Sequence, residues 1–237
     1  MTLYVKNGGT WTEVLDGKLY LKNGGSWVVP QKLFVKNAGA WVEVWPPGGG
    51  GGTPVTYTFN PTDSDSYRET NKWRGETSGI YQCSWDFGDH IGIIAFDFDD
   101  IIAKCGGKTI TGASLRLSRS SGGSSSPVQP ILWEAAAATI DNSYNVITSA
   151  GKPNLINNTR TVLPLGITIG GTVTNSIPIS HIEGIIDGSA RGLGFATSET
   201  LEGTSLGGGG QKACYANFTP SSGSSSTRPQ LKVTVLE

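Results

Sequence analysis

Twelve residues are written three times at the start of this chain: LYVKNGGTWTEV at 3–14, LYLKNGGSWVVP at 19–30 and LFVKNAGAWVEV at 33–44. In each copy the side chains alternate at a period of two on both sides of an Asn-Gly or Asn-Ala-Gly step. Asn and Gly tolerate the positive φ that a tight hairpin turn demands, so each copy predicts two short antiparallel strands. Asp16-Gly17 supplies a further turn between copies one and two. Ala38 replaces the first turn glycine in copy three, and a looser turn is expected there. Trp11, Trp27 and Trp41 recur at intervals of 16 and 14 residues, the difference falling in the connection, where loops absorb length. The reading is six strands in three hairpins.

About 45 residues is near the size at which a lone core is marginal without a disulfide, a metal or oligomerisation. The repeats contain no Cys and no His. Burial of Trp11, Trp27 and Trp41 against partner chains is therefore expected, which makes residues 1–45 an attachment or oligomerisation module. An ordinary meander packed on the rest of the chain is the competing reading. Pro46-Pro47, five glycines at 48–52 and Thr53-Pro54 then form a linker over 46–54. Glycine-rich chain behaves as coil, and five glycines span roughly 12 Å.

Two modest domains fit 237 residues. Glycine, at 34 residues, is about twice its usual share, and charged residues are 16% against a usual quarter. Lys plus Arg is 18 and Asp plus Glu is 19. That balance lacks the basic excess of a nucleic-acid binder. MTLYVKNGG has neither the basic nor the apolar region of a signal peptide, and no apolar run is long enough to span a bilayer. Cys83, Cys105 and Cys214 form an odd set without CxxC spacing. One pair could bridge, but without a signal peptide the expectation is free thiols in a reducing cytosol. Asn157-Asn158-Thr159 and Asn217-Phe218-Thr219 fit the glycosylation pattern, which carries no meaning without secretion.

From Val55 onward the pattern is strand-like and does not repeat. Strands are expected at Val55–Phe59, Ile80–Cys83, Ile91–Phe98, Ser114–Ser118, Val128–Glu134, Ile177–Ile179, Gly192–Thr197, Ala213–Asn217 and Gln230–Leu236. Gly/Ser-rich turns separate several of them, so residues 55–237 are read as an all-β sandwich. Helical signals are confined to a turn at Ile101–Cys105 and a short helix near 181–187.

The raw material for catalysis is thin. His90 and His181 are the two histidines, and no Ser/His/Asp constellation stands out. Asp86, Asp89 and His90 could hold a metal but read more simply as turn residues. Asp63 with Asp65, and Asp97 with Asp99 and Asp100, could offer oxygens to Ca²⁺, without an EF-hand-like spacing to support it. Nothing singles out a carboxylate pair such as Glu134 with Asp141 for glycoside hydrolysis. Gly207–Gly210 lacks the Gly-Lys-Ser/Thr ending of a phosphate loop. The expectation is a non-enzyme without a cofactor or metal. Binding is the stronger class, because rigid amphipathic aromatics outside the alternating strands make natural platforms. Tyr67, Trp73 and Arg74 lie in a polar stretch, Asp65–Ser78, that reads as a long loop, and Tyr144 lies in another at Asp141–Tyr144. Trp73 reads equally as the cover of a sheet edge. Trp85 and Trp133 read as core.

Ile94-Ala95-Phe96-Asp97-Phe98, Ile110-Thr111-Gly112-Ala113-Ser114-Leu115-Arg116-Leu117, Ile131-Leu132-Trp133 and the closing Arg228–Val235 follow one another as in the adhesive domains named for the DNRLRE motif. Over about 55–237 the chain resembles that family, whose architecture is similar to carbohydrate-binding jelly rolls, although the eponymous six residues are absent. The N-terminal copies resemble the VKNGGTW hairpin repeats of phage tail and other virion proteins. These resemblances imply an all-β protein with a three-hairpin repeat module and a jelly-roll-like sandwich. They imply a phage virion protein assembled in the host cytoplasm, in a symmetric trimer, without membrane insertion. Residues 1–45 would attach it to other virion proteins, and the sandwich of a tail fibre or minor tail component would meet a host-surface glycan. A capsid decoration or head-fibre protein is the alternative, and a carbohydrate-binding accessory module of an enzyme is a third.

Overall fold

A computed structural model describes residues 53–68, 72–73, 79–83, 88–121, 125–136, 140–141, 146–147, 153–197 and 213–237. Of residues 72–73, 121, 140–141 and 146–147, and of the strands at 4–7, 10–13, 21–23, 26–28, 33–37 and 40–45, it describes the backbone alone. The chain divides into two compact units, Met1–Thr53 with Leu236–Glu237, and Pro54–Val235. The described residues are mostly β, with antiparallel pairing and two short helices, consistent with an all-β protein. Among the described residues no helix is long and apolar enough to cross a membrane.

In the first unit, β1 (Tyr4–Asn7) pairs β2 (Thr10–Glu13), β3 (Leu21–Asn23) pairs β4 (Ser26–Val28), and β5 (Leu33–Asn37) pairs β6 (Ala40–Trp45). Each is a separate two-stranded sheet. The innermost partners are Asn7 with Thr10, Asn23 with Ser26 and Asn37 with Ala40. All three connections therefore have two residues, and the looser turn expected at Ala38-Gly39 lies outside the described residues. The register is also common to the copies, with Lys6 opposite Trp11, Lys22 opposite Trp27 and Lys36 opposite Trp41. Thr53 and Glu237 exchange backbone hydrogen bonds of 3.0 and 3.2 Å.

The second unit begins with β7 (Pro54–Phe59), β8 (Pro61–Arg68) and β9 (Lys72–Trp73), followed by β10 (Ile80–Gln82) and β11 (His90–Phe96). Helix α1 (Phe98–Cys105) precedes the long β12 (Thr109–Ser121), β13 (Ile131–Ala136), β14 (Ile140–Asp141), β15 (Val146–Ile147), β16 (Thr161–Val162) and β17 (Thr172–Ser176). Helix α2 (Ser180–Asp187), β18 (Ala190–Phe195), β19 (Ala216–Phe218) and β20 (Gln230–Leu236) complete it. Twelve of these strands form one hydrogen-bonded network, with the main order β16-β13-β18-β11-β10-β19-β12-β20-β7. Strand β12 changes partner along its length. Ser114–Ser118 pair with β17, whereas Arg119 and Ser121 pair with β19.

Most expected strands are present, with shifts that have local causes. The strand expected at Ile91–Phe98 ends at Phe96 because Asp97 caps a helix. Its carboxylate accepts the Asp100 amide at 3.0 Å, which satisfies one of the open amides of the first turn. Asp100 in turn pairs with Lys104 at 2.8 Å, so these acids are occupied in starting α1. No strand forms at Ile177–Ile179. The preceding residues, Thr172–Ser176, pair instead, and Ile177 donates its amide to Ala113 O at 3.0 Å.

Strand β8 replaces the first part of the loop expected at Asp65–Ser78. Its sequence, PTDSDSYR, shows no apolar alternation, yet Ser64 and Ser66 are fully buried. The Ser64 hydroxyl donates to Ser221 Oγ and accepts the Ser221 amide at 2.7 Å. Ser66 Oγ donates to Gly79 O at 3.0 Å and accepts the Tyr81 amide at 2.7 Å. Buried hydroxyls with both capacities filled avoid the desolvation penalty of an unmet polar group.

The core comprises β11, buried at every residue, together with Leu115, Leu117, Leu193, Leu231, Val233 and the ring pair Phe195–Phe218, whose centroids are 5.5 Å apart. Packing is tight where β10 runs beside Gly92. A methyl built there would lie 2.5 Å from Ile80 Cγ2 and 2.7 Å from the Tyr81 carbonyl oxygen. Gly92→Ala should therefore destabilise the unit by about 1–3 kcal/mol, measured by urea unfolding. An unchanged midpoint would mean that β10 is free to shift.

Candidate functional site

Tyr67 and Trp73 are brought together as cross-strand partners of the β8–β9 pair, with Arg68 opposite Lys72 beside them. The sequence places both aromatics in a loop. Instead the ladder holds Tyr67 inside, with 4% of its surface exposed, where it cannot serve as an exposed contact residue. Arg74, Tyr144 and Trp85 lie outside the described residues, as do the side chains of Trp73, Trp11, Trp27 and Trp41. Trp133 is core, and its indole N–H donates to Ala196 O at 2.9 Å.

A cavity of about 380 Å³ opens between the end of α1, the start of β12 and α2. Cys105, Lys108, Ile110, Glu183, Ile186 and Asp187 line it. The Ser189 amide and hydroxyl, bonded to Asp187, hold its carboxyl below the usual carboxylate range, so it remains charged at neutral pH. Burial pushes the Cys105 thiol up and keeps it protonated. Lys108 approaches the ring of Tyr57 at 5.3 Å, and Lys104 approaches Tyr57 and Phe59 at 5.8 and 5.5 Å. One ammonium, two carboxylates and two isoleucines can hold a small polar molecule by hydrogen bonds. They do not supply an activated nucleophile, because the thiol is neutral and buried.

Both histidines are interior. His90 is buried, with its Nδ1 3.2 Å from the Cys83 carbonyl oxygen and its ring beside Tyr81 and Tyr215. His181, on α2, has 1% exposure and places Nδ1 3.2 Å from Glu134 Oε1 of β13. The two side chains are close but without hydrogen-bond alignment. Glu134 thus lies beside His181 in the interior, and the side chain of Asp141 lies outside the described residues. Asp63 and Asp65 accept the amides of the next residues, Ser64 and Ser66, at 2.7 and 2.6 Å. Among the described residues no three His, Cys, Asp or Glu side chains are grouped to hold a metal.

Cys83 and Cys214 are joined by a disulfide, with Cα atoms 5.9 Å apart, and Cys105 is the free thiol. This corrects the expectation of free thiols. The partners are 131 residues apart, and no spacing rule links cysteines at that distance. Only the return of β19 to β10 brings them together. No protein-family model matches the chain, and no curated protein sequence matches it.

Proposed function

We propose that this chain is a non-enzymatic structural protein of a phage virion, a tail-fibre or minor tail component. In this reading residues 1–45 attach it to other virion proteins and build a homotrimer, and residues 55–237 form a jelly-roll-like β-sandwich that contacts the host surface. The observation that carries the reading is the Lys–Trp register repeated in three hairpins ahead of the glycine run at 48–52. Isolated two-stranded hairpins are marginal in water, so three in a row call for a surface that completes them. The change of partner along β12 supports a sheet folded into two layers, since strands that switch sheets make the corners of sandwiches.

Locating the protein in intact particles by cryo-electron microscopy tests this directly. Density at the tail is expected. Density over the capsid shell would replace it with the decoration reading, and absence from particles would overturn both. Trp27→Ala should lower the oligomeric state in sedimentation, as loss of a large buried side chain costs about 3–5 kcal/mol. A monomeric wild type would remove the assembly role.

The partner of the 55–237 region is proposed to be a host-surface glycan, with Trp73 stacking on it and Arg74 and Tyr144 donating hydrogen bonds. Tyr67 stands opposite Trp73 in the β8–β9 ladder. Particles carrying Trp73→Ala should adsorb to host cells at least tenfold less than wild type, since each factor of ten corresponds to about 1.4 kcal/mol. Equal adsorption with an intact fold would take Trp73 out of the site. The same protein should show no hydrolase turnover on polysaccharide or peptidoglycan, and turnover abolished by one carboxylate substitution would make it an enzyme.

A further inference from the structure

The disulfide lies beside a narrow junction in the strand pairing of the second unit. Among the described strands, the group β16, β13, β18, β11, β8 and β9 joins the group β12, β20, β7 and β17 only through β10 and β19. Each of those two strands has three residues. Three residue pairs join them to one another, one pair joins β10 to β11, and two pairs join β19 to β12. Cys83 directly follows β10 and Cys214 lies two residues before β19, so the bridge closes this junction covalently.

The two sulfurs are not equivalent. Cys83 has no exposed surface, whereas Cys214 is only partly buried. The Thr197 hydroxyl donates to Cys83 Sγ at 3.1 Å. Exchange proceeds in line, so an incoming thiolate that reaches Cys214 expels Cys83, and a leaving thiolate departs faster when it is stabilised. A hydroxyl donor already in place on Cys83 provides that stabilisation. Cys105, buried and protonated, is not poised to compete.

We propose that Cys83–Cys214 is a directional redox latch, reduced through attack on Cys214, with Thr197 positioning and stabilising Cys83 as the leaving group. In the first step an external thiolate bonds to Cys214 Sγ, the S–S bond breaks, and its electron pair leaves on Cys83 Sγ. A second external thiol then releases Cys214 and forms a disulfide with the first, so two thiols are oxidised and one protein disulfide is reduced. Closing is the reverse, driven by a small-molecule disulfide of the glutathione type. Opening frees β10 and β19 to separate, whatever the compartment in which the protein works.

The test is to treat the native, full-length protein with glutathione, quench with acid and an alkylating agent, and map the mixed disulfide by peptide mass spectrometry. The adduct is expected on Cys214, and an adduct on Cys83 overturns the direction. Thr197→Val should slow reduction about five- to tenfold, from loss of a hydrogen bond to a developing charge, while Thr197→Ser restores the rate. Equal rates in the wild type and both variants, with unchanged circular dichroism, would overturn the role of Thr197. Amide hydrogen exchange at 80–82 and 216–218 should rise at least tenfold on reduction, ahead of β11. Unchanged exchange there, or a rise spread evenly over the whole unit, would overturn the latch.

Discussion

Replacing Glu134 by Ala should destabilise the second unit by about 1–3 kcal/mol, read from the midpoint and slope of guanidinium unfolding at neutral pH. Glu134 and His181 are both interior and 3.2 Å apart, one on a strand and the other on a helix. The carboxylate is closely seated, since a methyl on Gly184 would lie 2.7 Å from its Oε2. Removing one partner leaves the other in an interior where water does not replace it. Removing both need not cost as much, because two buried polar partners exchanged for apolar groups of the same shape can be nearly neutral. The double substitution Glu134→Leu with His181→Phe should therefore recover at least half of the loss. Additive losses would show that the two residues act separately. A loss below about 1 kcal/mol for Glu134→Ala would show that water reaches the pair.

Removing the disulfide by Cys83→Ser with Cys214→Ser should cost about 3–5 kcal/mol. A cross-link over 131 residues restricts the unfolded chain strongly, and the loop-closure estimate lies near the upper end of that range. The oxidised protein should unfold at a higher midpoint than the same protein in excess reductant, and the double Ser variant should be indifferent to reductant. A common midpoint for all three would mean that the unfolded chain is already compact near these residues.

How far the sequence reaches is clearest in the contrast between the hairpins and β8. Asn-Gly steps between alternating runs identify the six N-terminal strands, because turn chemistry and period are local and need nothing distant. The same holds for β7, β20 and α2, where apolar spacing marks the buried face. At β8 the rule fails, because Ser64 and Ser66 are buried by bonds to Ser221, Gly79 and Tyr81 that hydropathy does not register. Tyr67 is misread for the same reason, as a polar neighbourhood conceals an interior strand. Glu134 and His181 are 47 residues apart and pair only because α2 packs on β13. Cys83 and Cys214, farther apart still, meet only because β19 returns beside β10. Local turn and period signals thus determined which segments could be strands. Tertiary structure alone decided which polar residues went inside and which charges and sulfurs met, because those choices depend on partners supplied by distant parts of the chain.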